Sequence, residues 1–151
     1  MFGGAFGAFR TKGRHFFNES ARGYVELKKL LALCAKEPGL RRGRQYLREI
    51  SGDGLNFGLP QMINNQIRSV VAWSRIFVDQ ELVCAMNTDP DNTRTAWVTI
   101  DDSLHHAGDQ LTCVYASDGG QLNSKVTVES RNGKAAKVTI PKGGFVVFKC
   151  F

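Results

Sequence analysis

Fourteen acidic residues, three histidines and four cysteines carry whatever acid–base, nucleophilic or metal chemistry this 151-residue chain can perform. Catalysis by two carboxylates needs the pair held across a cleft by separate rigid elements. Asp89, Asp91, Asp101, Asp102, Asp109 and Asp118 instead fall in or beside expected turns, where an Asp side chain bonds its own backbone. They read as turn formers. Asp89-Pro90-Asp91-Asn92 opens like a calcium loop, but the sixth position is Arg94 where Gly belongs and the twelfth is Ile100 where Glu belongs. His105-His106 has no third ligand placed by spacing, and reads as a pair of loop histidines without a role. Cys34, Cys84, Cys113 and Cys150 form no CxxC pair, which argues against zinc. Cys84, Cys113 and Cys150 sit in apolar runs and read as buried free thiols, favouring a reducing, cytoplasmic compartment. No Cys/His nucleophile pair, GxSxG elbow or phosphate loop occurs. The expectation is no catalytic residue, no metal and no cofactor.

Two tryptophans remain as contact residues. In residues 93–101, Ala96, Val98 and Ile100 share one strand face, and Thr95, Trp97 and Thr99 the other. With the small apolar set turned to the core, Trp97 faces outward, to pack on a neighbouring domain or second sheet or to stack on a sugar ring. Trp97 is thus the one candidate carbohydrate-binding residue. Trp73 shares a face with Val71 and Phe77 and reads as core.

The elements that must hold these residues are mostly strands. Residues 1–18 are rich in Gly and Phe, with Phe2, Phe6, Phe9, Phe16 and Phe17 in no clear period; such rings need another surface to bury them. This opening does not read as a signal peptide, because no basic region precedes the apolar one and glycines interrupt it. Tyr24, Leu27, Leu31 and Cys34 then follow helical spacing, capped by Asn18 or Ser20 and stopped by Pro38 and Gly39. From about Arg44 the pattern is β. Strands are expected over residues 45–50, 69–78, 81–88, 93–100, 111–116, 125–130, 134–140 and 145–151, with residues 52–65 as a long loop. Asp79-Gln80 and Asn132-Gly133 mark hairpins. The fold class expected is mainly β, an antiparallel β-sandwich of Greek-key type preceded by one amphipathic α-helix.

The net charge of +6 raises a nucleic-acid reading, and Arg41, Arg42, Arg44 and Arg48 form the densest basic cluster. No aromatic stacking platform accompanies it, so a solvated or interdomain surface is preferred and nucleic acid ranks last among partners. No stretch approaches the roughly 18 to 20 apolar residues that span a bilayer.

Several stretches, taken in order, resemble the end of an α-amylase superfamily glycoside hydrolase. Phe16-Phe17-Asn18-Glu19, Tyr24 through Leu33, and Leu40-Arg41-Arg42-Gly43-Arg44 resemble the last barrel helix and its exit, with Cys34 replacing the usual basic residue. Val70-Val71-Ala72-Trp73-Ser74-Arg75 with Leu82 through Asp89, and Val138-Thr139-Ile140-Pro141 with Gly144 through Phe148, resemble paired strands and the closing strand of that family's C-terminal β domain. The resemblance implies that residues 1–39 are the end of a catalytic (β/α)8 barrel, starting inside it, and residues 40–151 the C-terminal all-β domain. It implies a non-catalytic domain that packs on and stabilises the barrel of an enzyme acting on α-glucans. The family's Asp nucleophile, Glu acid/base and third Asp lie in motifs this chain lacks. The alternative is a carbohydrate-binding module that holds polysaccharide through exposed aromatics. The partners expected are the barrel, then polysaccharide, then a second copy through the helix face.

Overall fold

Alternating apolar residues broken by turn signals build nine strands in the computed structural model, which describes residues 19–62 and 65–151. The Phe-rich opening and the Asn18 cap lie outside the described residues. The elements are α1 (Arg22–Lys36), α2 (Pro38–Arg42), β1 (Arg44–Arg48), β2 (Ile50–Ser51), β3 (Val70–Phe77), β4 (Gln80–Asn87), β5 (Arg94–Thr99), β6 (Gln110–Ala116), β7 (Lys125–Glu129), β8 (Ala135–Ile140) and β9 (Phe145–Cys150). The chain divides into two compact units, Met1–Lys36 and Glu37–Phe151.

In the first unit, α1 forms because residues 26–33 are nearly all good helix formers. Leu27 and Leu31, on its apolar stripe, are exposed. In the second unit all strand pairings are antiparallel, in the order β1-β3-β4-β9-β6-β7-β8-β5-β2. The order folds over at β7. Its Lys125, Val126 and Thr127 pair with β6, while Val128 and Glu129 pair with β8. One strand thus serves both layers, a usual way to turn a sandwich corner. The mainly β, antiparallel architecture is the one expected.

Between the layers, Val70, Ala72, Val83, Ala85, Val146 and Phe148 meet Ala96, Val98, Ile100, Ala136, Val138 and Ile140. Burying each Val, Ile or Phe side chain stabilises by about 1.5–3 kcal/mol. Asn132 and Gly133, with φ of 44° and 81°, carry the left-handed turn inside the five-residue loop between Glu129 and Ala135, so the Asn-Gly signal marks the hairpin but the loop is longer than the two residues it suggests.

Three local features differ from expectation. Pro38 and Gly39 end α1 but also start α2, since Pro at the first helical position is pre-organised for a helix. A Cβ on Gly39 would lie 2.5 Å from Leu82 Cδ1, so only glycine lets α2 sit this close to β4. Arg75 bonds the carbonyls of Gly39 and Leu40, and Lys149 pairs with buried Glu37 at 2.8 Å. Second, the β3–β4 loop is Val78-Asp79, because Phe77 pairs with Gln80. Val78 therefore takes a φ of 58°, a conformation a β-branched residue rarely adopts. Third, Trp73 is not in the core. Val70 and Ala72 face inward, and Trp73 lies half-buried on the outer face, stacked on Phe145 at 5.6 Å. The Trp73 face of β3 is the one turned away from the second layer, because the alternation gives the inner face to Val70 and Ala72.

Candidate functional site

Each acidic residue singled out above sits in or beside a turn, and most are spent on local geometry. Asp89 is buried. Its carboxylate takes the backbone N–H of Asp91 and of Asn92 and an ion pair from Arg94 at 2.6 Å. The Asp91 N–H and the Arg94 guanidinium hold that carboxyl well below the usual range. Asp101 accepts from the hydroxyl and N–H of Ser103, Asp118 from the N–H of Gly120, and Asp109 from the N–H of His106. Asp102 pairs with Lys134 and Asp91 with Arg68. These carboxylates are engaged by turn N–H groups, hydroxyls and basic side chains, the part the sequence assigned to them.

The strongest polar constellation was not foreseen. Glu81, at the start of β4, is 2% exposed. Its Oε1 accepts from Arg48 Nη2 at 2.7 Å and from the Ser74 hydroxyl. Its Oε2 accepts from His105 Nε2 at 2.7 Å and from the Asp101 N–H at 3.0 Å. Burial pushes the Glu81 carboxyl up, but the bonds from His105 and Ser74 and the charge of Arg48 outweigh it and hold it below its ordinary value. His105 is therefore no idle loop histidine: it is 3% exposed and its Nδ1 has no hydrogen-bond partner. A sequence signal existed only in retrospect. Glu81 breaks an apolar strand, and a buried Glu demands a cation.

Trp97 lies on the face opposite Ala96 and Val98, as the alternation requires, but it is only 7% exposed. Arg131 sits over its ring at 4.3 Å, and Gly54 passes so close that a Cβ there would be 2.7 Å from the indole Nε1. Arg131 also donates to the Gly54 carbonyl. The outward aromatic is thus covered by a loop and a guanidinium that spacing did not reveal.

The basic cluster divides. Arg48 turns inward to Glu81, whereas Arg41, Arg42 and Arg44 are exposed. The long loop between β2 and β3 leaves apolar side chains uncovered: Leu55 (79% exposed), Leu59 (51%), Met62 (64%) and Ile67 (36%). The same loop frames a groove of about 680 Å³ lined by Ser51, Asn56, Phe57, Gln61, Gln66 and Arg68, among others. Ser51 and Asn56 are tied through Asp53, whose carboxyl the Ser51 hydroxyl and the N–H groups of Asn56 and Leu55 hold well below the usual range. Among the described residues, no helix is long and apolar enough to cross a membrane.

Residues 62–151 match the family described as alpha amylase, C-terminal all-beta domain. Among curated proteins, none matches this chain. Solved structures share the fold. The gamma-CGTase of alkalophilic Bacillus clarkii is 19% identical at a TM-score of 0.57, over 97% of this chain and 18% of that one. The noncanonic maltogenic α-amylase AmyB of Thermotoga neapolitana is 12% identical at a TM-score of 0.57, over 95% and 29%. The debranching enzyme of Nostoc punctiforme is 17% identical at a TM-score of 0.54, over 90% and 24%. The chain thus spans less than a third of the length of each of these structures.

Proposed function

The chain belongs to the family of α-amylase C-terminal all-β domains, a non-catalytic module, and from that premise we propose that it packs on and stabilises the catalytic barrel of a glycoside hydrolase acting on α-glucans. The observation that carries this reading is the run of uncovered apolar side chains in one loop, Leu55, Leu59, Met62 and Ile67. Exposed apolar groups gathered in this way mark a surface that another body covers. Residues 1–39 are read as the end of that barrel and residues 40–151 as the β domain. Leu27 and Leu31 of α1 then have the same purpose, and without a barrel they are open to a second copy of the chain. Incubating the purified chain with soluble starch and maltooligosaccharides should release no reducing sugar. Sustained turnover that survives repeated purification is incompatible with the proposal.

A second reading, polysaccharide holding, has the groove lined by Ile50, Ser51, Phe57, Gln61, Gln66 and Arg68, among others, behind it. A concave site with Phe57 beside the amides of Asn56, Gln61 and Gln66 offers a ring face and hydrogen-bonding groups together. Trp97 joins such a site only when the Gly54 loop and Arg131 move aside. Titrating maltoheptaose against wild type, Phe57→Ala and a Trp97→Ala chain shown by urea unfolding to be folded separates the cases: loss of affinity in either folded variant supports sugar holding, and no measurable affinity in wild type removes it.

A further inference from the structure

One ligating atom each of His105, Asp109 and Cys150 lies within 4.8 Å of the others. From this cluster we infer a divalent metal site of the zinc class, with His105 Nδ1, the Asp109 carboxylate and Cys150 Sγ as its three protein ligands. The first support is the orphaned nitrogen. His105 is 3% exposed, its Nε2 is taken by Glu81, and Nδ1 is left without a partner. A buried imidazole nitrogen without a partner is costly in an ordinary loop, and is what a metal ligand requires.

The second support is the Glu81 carboxylate behind the ring. Metal-bound histidines donate their other N–H to a carboxylate, which fixes the tautomer and the ring orientation. The Nε2–Glu81 contact at 2.7 Å does this, and Glu81 is itself fixed by Arg48 and Ser74. Nδ1 is thereby left as a lone pair. The donor set, one imidazole, one carboxylate and one thiolate, suits zinc, with a fourth position for water. In a tetrahedral zinc site neighbouring ligand atoms stand about 3.5 Å apart, so the cluster closes by side-chain adjustment of roughly 1 Å. Asp109 and Cys150 are only partly buried, which leaves an entry path.

The ligands come from separate places in the chain. His105 and Asp109 flank the turn after β5, and Cys150 ends β9, where it pairs with Leu111. The ion would therefore staple the loop before β6 to the last strand, a structural role with no catalytic step.

The test titrates Co(II), then Zn(II), into the full 151-residue chain under reducing conditions. The expected result is a thiolate-to-cobalt absorption band that Zn(II) abolishes, and a zinc-dependent rise in unfolding temperature. Cys150→Ser should lose the band, and Asp109→Asn should weaken zinc binding by at least about tenfold. Cys34→Ser, distant in sequence, should change neither. No band at millimolar Co(II) in wild type overturns the site, as does a band that survives Cys150→Ser or vanishes in Cys34→Ser. Asp109 is partly exposed, so its variant keeps the test sound if Cys150→Ser fails to fold.

Discussion

Replacing Glu81 with Gln probes a buried charge on which four donors converge. The carboxylate offers two equivalent oxygens: Arg48 and Ser74 use one, His105 and the Asp101 N–H the other. A glutamine keeps the volume but must present its NH2 to one of these donor pairs. An unsatisfied buried donor costs about 1–3 kcal/mol. Leaving Arg48 without its main partner adds to this, but only in part, because Asp101 Oδ2 stands 3.7 Å away. Removing one partner of a buried pair costs about 3–5 kcal/mol, and the remaining contacts reduce this to about 2–4 kcal/mol. For a domain of this size that lowers the midpoint by on the order of 10–20 °C. The sign with pH follows from the lowered folded-state pKa. The stabilisation is fully present above the unfolded value of about 4.3 and is lost as pH falls through the folded value. Glu81→Gln should therefore flatten the acid limb of the stability curve. Both tryptophans, Trp73 and Trp97, lie in the β unit, so their fluorescence during urea unfolding reports that unit alone. A loss under about 1 kcal/mol at pH 7, with an unchanged acid limb, would mean that the Glu81 charge does not hold this corner of the fold.

Other substitutions test separate parts of the structure. Val78→Asn should stabilise by about 1 kcal/mol, since Asn tolerates the φ of 58° that strains valine, and urea midpoints will show the direction. Gly54→Ala should destabilise by about 1–3 kcal/mol, because the φ of +76° is unfavourable and its Cβ meets Trp97 and Arg131. Trp97→Ala should cost about 3–5 kcal/mol in unfolding experiments, as expected of a covered ring. A change of less than about 1 kcal/mol there would mean that the ring is not packed.

What could be read from the chain follows from the range of the forces involved. Period-two alternation and the Asn132-Gly133 turn are local, and strands β5, β7 and β8 appear where that pattern puts them. The β3–β4 turn slipped by one residue because Asp79 is the better turn former, yet the pairing of Phe77 with Gln80 places Val78 in the loop. The order of strands across the sheet brings together what spacing could not. His105 meets Glu81 across 24 positions, and Arg48 meets it across 33. Trp97 was correctly turned away from the core, but its cover comes from Gly54 and Arg131, which are themselves 77 positions apart. Long-range contacts of this kind leave no local period, so a histidine without a visible role became a buried one.

If the uncovered loop is a docking face for an amylase-type barrel, the two must bind each other in solution. Sedimentation of the full chain mixed with such a barrel, lacking its own C-terminal domain, measures this directly. The expected result is a complex that Leu55→Asp with Leu59→Asp weakens by at least about tenfold while the unfolding midpoint of the chain is unchanged. No complex with the wild-type chain, or one indifferent to both substitutions, would contradict it.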